Sequence, residues 1–181
     1  IDAEGFRVAL NGLKELGGFR ELLETIQGHP EPFRVYFQIA DCWLNAAEAD
    51  KSVAAEKSPL VDKAITFARK SIELKDDFSE AYVVLYNAEN KKKLYAESAD
   101  TIFMLTRLNP SNPEYLYTLG LLHYSQLNNP AMARYGLMGV VNISYEASIP
   151  SQYMERVYLI LGDINNELRN YGEAVDNLIA A

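Results

Sequence analysis

Two histidines, one cysteine and a scatter of carboxylates are the side chains of this sequence with the chemistry to act on a substrate or hold a metal. His29 stands in a connection flanked by Pro30 and Pro32, and His123 on the inner face of an apolar helical pattern, where core packing is the better reading. Neither has a Cys or carboxylate at ligand spacing, so no metal site is expected. Cys42 precedes Trp43 within a helical stretch and lacks a neighbouring His or Lys to stabilise a thiolate, so it reads as a small buried hydrophobe. Asp41, Asp163 and Glu167 could be named as paired carboxylates, but helix surfaces of an acidic protein produce such pairs freely. Gly17-Gly18 lacks the following Lys-Ser or Lys-Thr of a phosphate loop. Asn142-Ile143-Ser144 has the form of a glycosylation sequon, with chance as the default reading. These residues predict no catalytic group, no cofactor and no metal; the chain does not read as an enzyme.

Composition narrows the remaining classes. Of 181 residues, 49% are hydrophobic, enough for a continuous core and too many for a disordered tail. A formal charge of −8 opposes binding to a phosphate backbone, which needs clustered Lys and Arg, so no nucleic acid is expected. The one basic run, Lys91-Lys92-Lys93, stands near Glu89 and Glu97 and reads as the solvated end of a helix. A single cysteine excludes an internal disulfide framework and leaves the compartment open, cytoplasmic or bacterial periplasmic. No apolar run has the length to span a bilayer, so no direct membrane insertion is expected. The chain starts at Ile1 and stops at Ala181 within a helical pattern, so a fragment of a longer protein is expected.

The elements that position these residues recur near every 34 residues. The clearest copy is Tyr158, Leu161, Gly162, then Asn170, Tyr171, Ala174, Leu178 and Ala181: a large residue, Leu-Gly, a turn, and Ala followed by a large residue. A second copy runs over 79–112, with Ala81, Tyr82 and Leu85 on its first helix, Ile102 and Leu105 on its second, and Asn109-Pro110 at its close. A third starts at Pro113 and places Leu116, Leu119, Gly120 and His123 inward, with Ala133 and Leu137 on its second helix. Gly120 and Gly162 stand 42 residues apart rather than 34, which puts an insertion at 142–151 and starts the last copy near Glu155. Upstream, Tyr36, Ile39, Ala40 and Trp43 give the same face, with Ala64, Ala68 and Ser71 on the partner helix and a charged insertion over 47–58. A helical hairpin is also expected over Phe6–Gln27.

The pattern resembles the tetratricopeptide repeat, a helix–turn–helix unit that cannot bury its apolar face alone and stacks on its neighbours. The resemblance covers about 33–181. It implies an all-α fold, a right-handed superhelical solenoid of antiparallel helix–turn–helix repeats in one domain: 1–30 degenerate or capping, then 33–74, 79–112, 113–154 and 155–181. Tyr86 departs from the pattern by filling the slot that Ala40, Gly120 and Gly162 occupy, and Glu89 and Asn165 replace the inner aromatic.

In this family, ligands lie in the concave groove lined by the first helix of each repeat. Carried over, the groove positions are Phe37, Asp41 and Leu44; Val83, Asn87 and Asn90; Tyr117, Leu121 and Tyr124; and Leu159, Asp163 and Asn166. Tyr117 and Tyr124 stand seven apart, two helical turns, and project to one side. Most other tyrosines (Tyr36, Tyr82, Tyr158, Tyr171) fall at half-buried packing positions. Members that clamp a terminal carboxylate use Lys, Asn and Arg where this chain has Phe37, Asp41, Val84, Glu114 and Thr118, so an acidic peptide end is not expected. The implied function is a protein–protein interaction scaffold that takes an apolar or basic peptide or helix along the groove, or assembles with its own copies. The alternative is a docking or regulatory region of a larger enzyme or membrane-anchored assembly protein.

Overall fold

The computed structural model describes residues 26, 28–50, 54–144 and 151–181. Among them are eight α-helices and no strand. The helices are α1 (Pro32–Ala49), α2 (Pro59–Leu74), α3 (Ser79–Lys91), α4 (Tyr95–Leu108), α5 (Pro113–Ser125), α6 (Pro130–Ser144), α7 (Ser151–Glu167) and α8 (Tyr171–Ala180), with one 3-10 turn at Ala55–Lys57. The expected hairpin over Phe6–Gln27 lies outside the described residues, apart from the buried Ile26. So does most of the expected connection over 142–151. The last repeat's first helix starts at Ser151, ahead of the expected Glu155. Contacts divide the chain into two compact units, Ile1–Leu94 and Tyr95–Ala181.

Proline starts four of these helices (Pro32, Pro59, Pro113 and Pro130), where its missing N–H is not needed and its fixed φ suits the first turn. Side chains supply further caps. Ser58 Oγ accepts from the Leu60 N–H at 3.3 Å, Asn112 Oδ1 from Glu114 at 2.9 Å, and Asn129 Oδ1 from Met132 at 3.2 Å. Three of the hairpin turns share one device. Lys93, Asn128 and Arg169 each adopt a positive φ, at 60°, 47° and 61°. The backbone then folds back, and the N–H groups of Leu94, Asn129 and Asn170 reach the carbonyls of Glu89, His123 and Asn165 at 2.8–2.9 Å.

In the first unit α1 and α2 pack antiparallel. Ser71 Oγ donates to the Phe33 carbonyl at 2.7 Å, the Tyr36 and Phe67 rings stack at 6.2 Å, and the Lys63 ammonium sits 4.2 Å from the centre of the Trp43 ring. Ile39, Ala40, Val61, Ala64 and Ala68 are fully buried between the helices, so a small residue on each side lets the backbones approach. Helix α3 lies beside α1 in the same direction: Phe78, just before α3, meets the rings of Phe33 and Phe37 edge-on at 5.0 and 5.3 Å, and Lys91 near its end pairs with Glu48 at 2.9 Å.

The expectation of a solvated basic helix end is corrected here. Lys91 pairs with Glu48, Lys92 with Asp62 and Lys93 with Glu56, so the run ties α3 and its turn to α1, the 3-10 turn and α2. The Lys93 ammonium holds the Glu56 carboxyl below its ordinary range. Glu89, where the family pattern has an aromatic, is 1% exposed and meets Arg69 at 2.8 Å. The arginine on the neighbouring helix lets a carboxylate occupy an interior position.

The second unit is built on close helix approach. Leu116, Leu119, Ala133, Leu137, Val140, Val157 and Leu161 form its core. A Cβ on Gly120 would fall 2.7 Å from Leu137 Cγ, and one on Gly162 2.7 Å from Leu178 Cγ, so both pattern glycines stand where the second helix of their hairpin crosses. Gly136 is tighter still, since its Cβ would meet the Leu116 carbonyl oxygen at 2.6 Å and the Gly120 nitrogen at 2.7 Å. Arg134 joins three helices, donating from Nε to buried Asn165 at 2.9 Å and pairing with Glu173 at 2.5 Å.

One tyrosine expectation fails. Tyr158 is half-buried as expected and Tyr36 and Tyr82 go further inward, but Tyr171 is 60% exposed, because it opens α8 on a face that no described element covers. The same face leaves Val175, Leu178 and Ile179 exposed.

Candidate functional site

The twelve groove positions divide six to a unit, and their fates differ. In the first unit Leu44 is 5% exposed and belongs to the core, which corrects its expected place on the surface. It stands four residues after Ala40 and three before Ala47, both buried, so the apolar stripe of α1 is wide enough to take it inward. Phe37 is half-buried, with its ring engaged by Phe78. Phe78 was missed because it falls between helical patterns; the signal was an aromatic directly before a helix start. Asp41 accepts from Asn45 at 3.1 Å along its own helix, Val83 is half-buried, and Asn87 and Asn90 are exposed. This face is therefore polar, with its aromatic residues turned to packing.

In the second unit the structure brings the expected residues of α5 and α7 together. The Tyr124 hydroxyl donates to Asp163 Oδ2 at 3.4 Å, and the Tyr117 ring lies 4.3 Å from that of Tyr153, tilted by 44°. Tyr117 and Tyr153 lie toward the helix starts, and Tyr124 and Asp163 toward their ends, so α5 and α7 run side by side in one direction. Tyr117, Leu121 and Tyr124 are half-buried, Leu159 is 44% exposed, and Asp163 and Asn166 are exposed. Tyr153 was missed because the helix was expected to begin at Glu155; started at Ser151, the helix brings it within reach of Tyr117.

Burial pushes the Tyr153 phenol well above the ordinary tyrosine range, and nearby Tyr117 and Glu114 add to the rise. The Tyr124 phenol is raised first by burial, then by the Asp163 and Glu167 carboxylates. Both rings therefore remain protonated at neutral pH, one of them beside two negative charges.

The residues considered for chemistry stay apart. His29 Nδ1 accepts from the Glu31 N–H at 3.0 Å in the connection before α1. His123 is 9% exposed, its Nδ1 is buried without a hydrogen-bond partner, and burial lowers its pKa against a smaller upward pull from Asp100. Cys42 is half-buried against the first unit's core. Among the described residues no three His, Cys, Asp or Glu side chains gather as a metal site, and no helix is long and apolar enough to cross a membrane.

No protein-family model matches the chain, and no curated protein matches it in sequence. Solved structures do. A crystal structure of MamA superposes with a TM-score of 0.60 at 17% identity, covering 93% of this chain and 90% of that one. A double mutant of MamA from RS-1 gives 0.59 at 15%, covering 98% and 91%. MamA from Desulfovibrio magneticus RS-1, residue 41 to the end, gives 0.54 at 16%, covering 98% and 91%. At such identities the likeness shows the fold alone: all-α, built of helical hairpin repeats.

Proposed function

We propose that this chain is a non-enzymatic interaction scaffold that takes a protein or peptide partner on the face shared by α5 and α7. The carrying observation is the row of half-buried Tyr117, Leu121 and Tyr124 with exposed Leu159, apolar groups that keep accessible surface on two parallel helices whose other faces fill the core. The Tyr117 ring is braced by Tyr153, so little of its side-chain freedom remains to be lost on binding. The shared helical-repeat fold supports a scaffold rather than a catalytic reading.

The test is Leu159→Glu combined with Asn166→Arg, two exposed positions whose change leaves the core intact. Partner recovery from the native extract should fall while helicity, followed by circular dichroism, is unchanged. Undiminished recovery with retained helicity overturns the assignment of this face. A second reading, assembly of copies through α8, is favoured by the exposure of Tyr171, Val175, Leu178 and Ile179. Light scattering over a concentration series decides it, and a strict monomer at high concentration removes it.

A further inference from the structure

We infer that the α5–α7 face takes a lysine or arginine side chain of a basic partner segment, seated between the Tyr124 ring and the carboxylates of Asp163 and Glu167. This rests on reading that face as a docking surface and adds the chemistry of what docks there. Tyr124 supplies an aromatic ring, Leu121 and Leu159 supply apolar surface for an alkyl stem, and the carboxylates lie at the same end of the face. The bond from Tyr124 to Asp163 is long at 3.4 Å, which leaves the exposed carboxylate with acceptor capacity to spare. Among the described residues neither Asp163, Glu167 nor Glu114 forms an ion pair with a cation of the chain.

Charge distribution points to the same occupant. Every lysine of the sequence lies at or before Lys93, so the second unit sets nine carboxylates against four arginines. Of those four, Arg134 is taken by Glu173 and Asn165. Arg156, exposed on α7, stands about 10 Å along the helix from Asp163. Among the described residues Arg107 and Arg169 pair with neither Asp163 nor Glu167, so this end of the face keeps its negative charge, which adds to the burial that raises the Tyr124 phenol. A second copy is a poor source of the cation, because each copy carries the same formal charge of −8 and is repelled by the acidic end of the face. A basic segment of another protein fits the charge.

The probes are three labelled peptides alternating leucine with lysine, glutamate or asparagine, titrated into the full chain and followed by anisotropy and by the NMR signals of Tyr117 and Tyr124. The lysine peptide should bind and the glutamate peptide should not, with affinity falling as salt is raised. Asp163→Asn with Glu167→Gln should weaken the lysine peptide by about five- to tenfold. Glu97→Gln with Asp176→Asn, which removes the same charge elsewhere in the unit, should change it by less than about twofold. Equal losses in both double variants overturn the site in favour of net charge. If the asparagine peptide binds as tightly as the lysine peptide and the site variant changes nothing, the cationic preference is overturned and the docking surface stands. If none of the three moves the tyrosine signals, both readings fall.

Discussion

Gly136 on α6 lies directly against Gly120 on α5: a methyl group on Gly136 would sit 2.7 Å from the Gly120 nitrogen and 2.9 Å from its Cα. Here the two backbones touch, with no side chain between them to yield. Gly136→Ala should therefore destabilise the protein by about 2–3 kcal/mol in urea unfolding. Gly162→Ala clashes with the half-exposed Leu178 side chain, its one backbone neighbour being the Ala174 oxygen at an ordinary 3.5 Å, and should lose less than about 1 kcal/mol, offset in part by better helix propensity. Gly172 has open space around it, so Gly172→Ala should be neutral or slightly stabilising. Equal losses at all three positions would contradict this account of the helix crossing.

His123 gives a pH dependence of definite sign. Its folded pKa lies below the ordinary 6.5 because burial disfavours the imidazolium. The unfolded chain therefore takes up a proton first as pH falls. The stabilisation is present above about pH 6.5 and is lost as the pH drops from there toward the folded value. Thermal midpoints recorded between about pH 7 and 5.5 should fall in the wild type and fall less in His123→Phe, which restores an aromatic to the position. Parallel pH profiles for the two proteins would remove His123 from this role.

The pair of Arg69 with Glu89 should behave unlike the surface pairs. Glu89 is 1% exposed and Arg69 reaches it from a half-exposed position, so their coupling in a double-mutant cycle should be about 1–2 kcal/mol. The exposed pair of Arg34 and Glu31, at 3.0 Å, should couple by less than about 0.5 kcal/mol. The cycle is measured by chemical denaturation, and similar coupling energies would show that burial of Glu89 adds nothing.

Arg169 holds a φ of 61° in the turn before α8, a conformation in which an L side chain crowds its own backbone. Arg169→Gly should raise stability by about 1 kcal/mol, while Arg169→Ala should give no such gain. Differential scanning calorimetry of both variants decides this, and a gain for alanine would shift the cause from backbone to side chain.

How much of this was legible in the sequence depended on whether a residue's place is set by its own helix. Tyr36, Ile39, Ala40, Leu161, Gly162 and Ala174 are readable because helical periodicity alone assigns their inward face. Leu44 was misplaced because stripe width depends on which elements cover α1, and no residue of α1 reports that. Gly136 is silent in a periodicity reading, although it makes the closest backbone contact. The three lysines at 91–93 look solvated until the acids that pair with them, Glu48, Asp62 and Glu56, are folded against them. The spacing of Tyr117 and Tyr124 is enough to put them on one side of their helix, whereas Tyr153, which braces the first, is silent as long as its helix is taken to start near Glu155.

The bare outer side of α8 bears on how the protein must be handled. Tyr171, Val175, Leu178 and Ile179 form a sticky strip at 50–79% exposure, while the excess of acid makes copies repel one another. That repulsion vanishes near pH 4.8 while the strip stays as greasy as before. Turbidity should therefore peak close to the isoelectric point, and Ile179→Lys with Val175→Lys should keep the solution clear there.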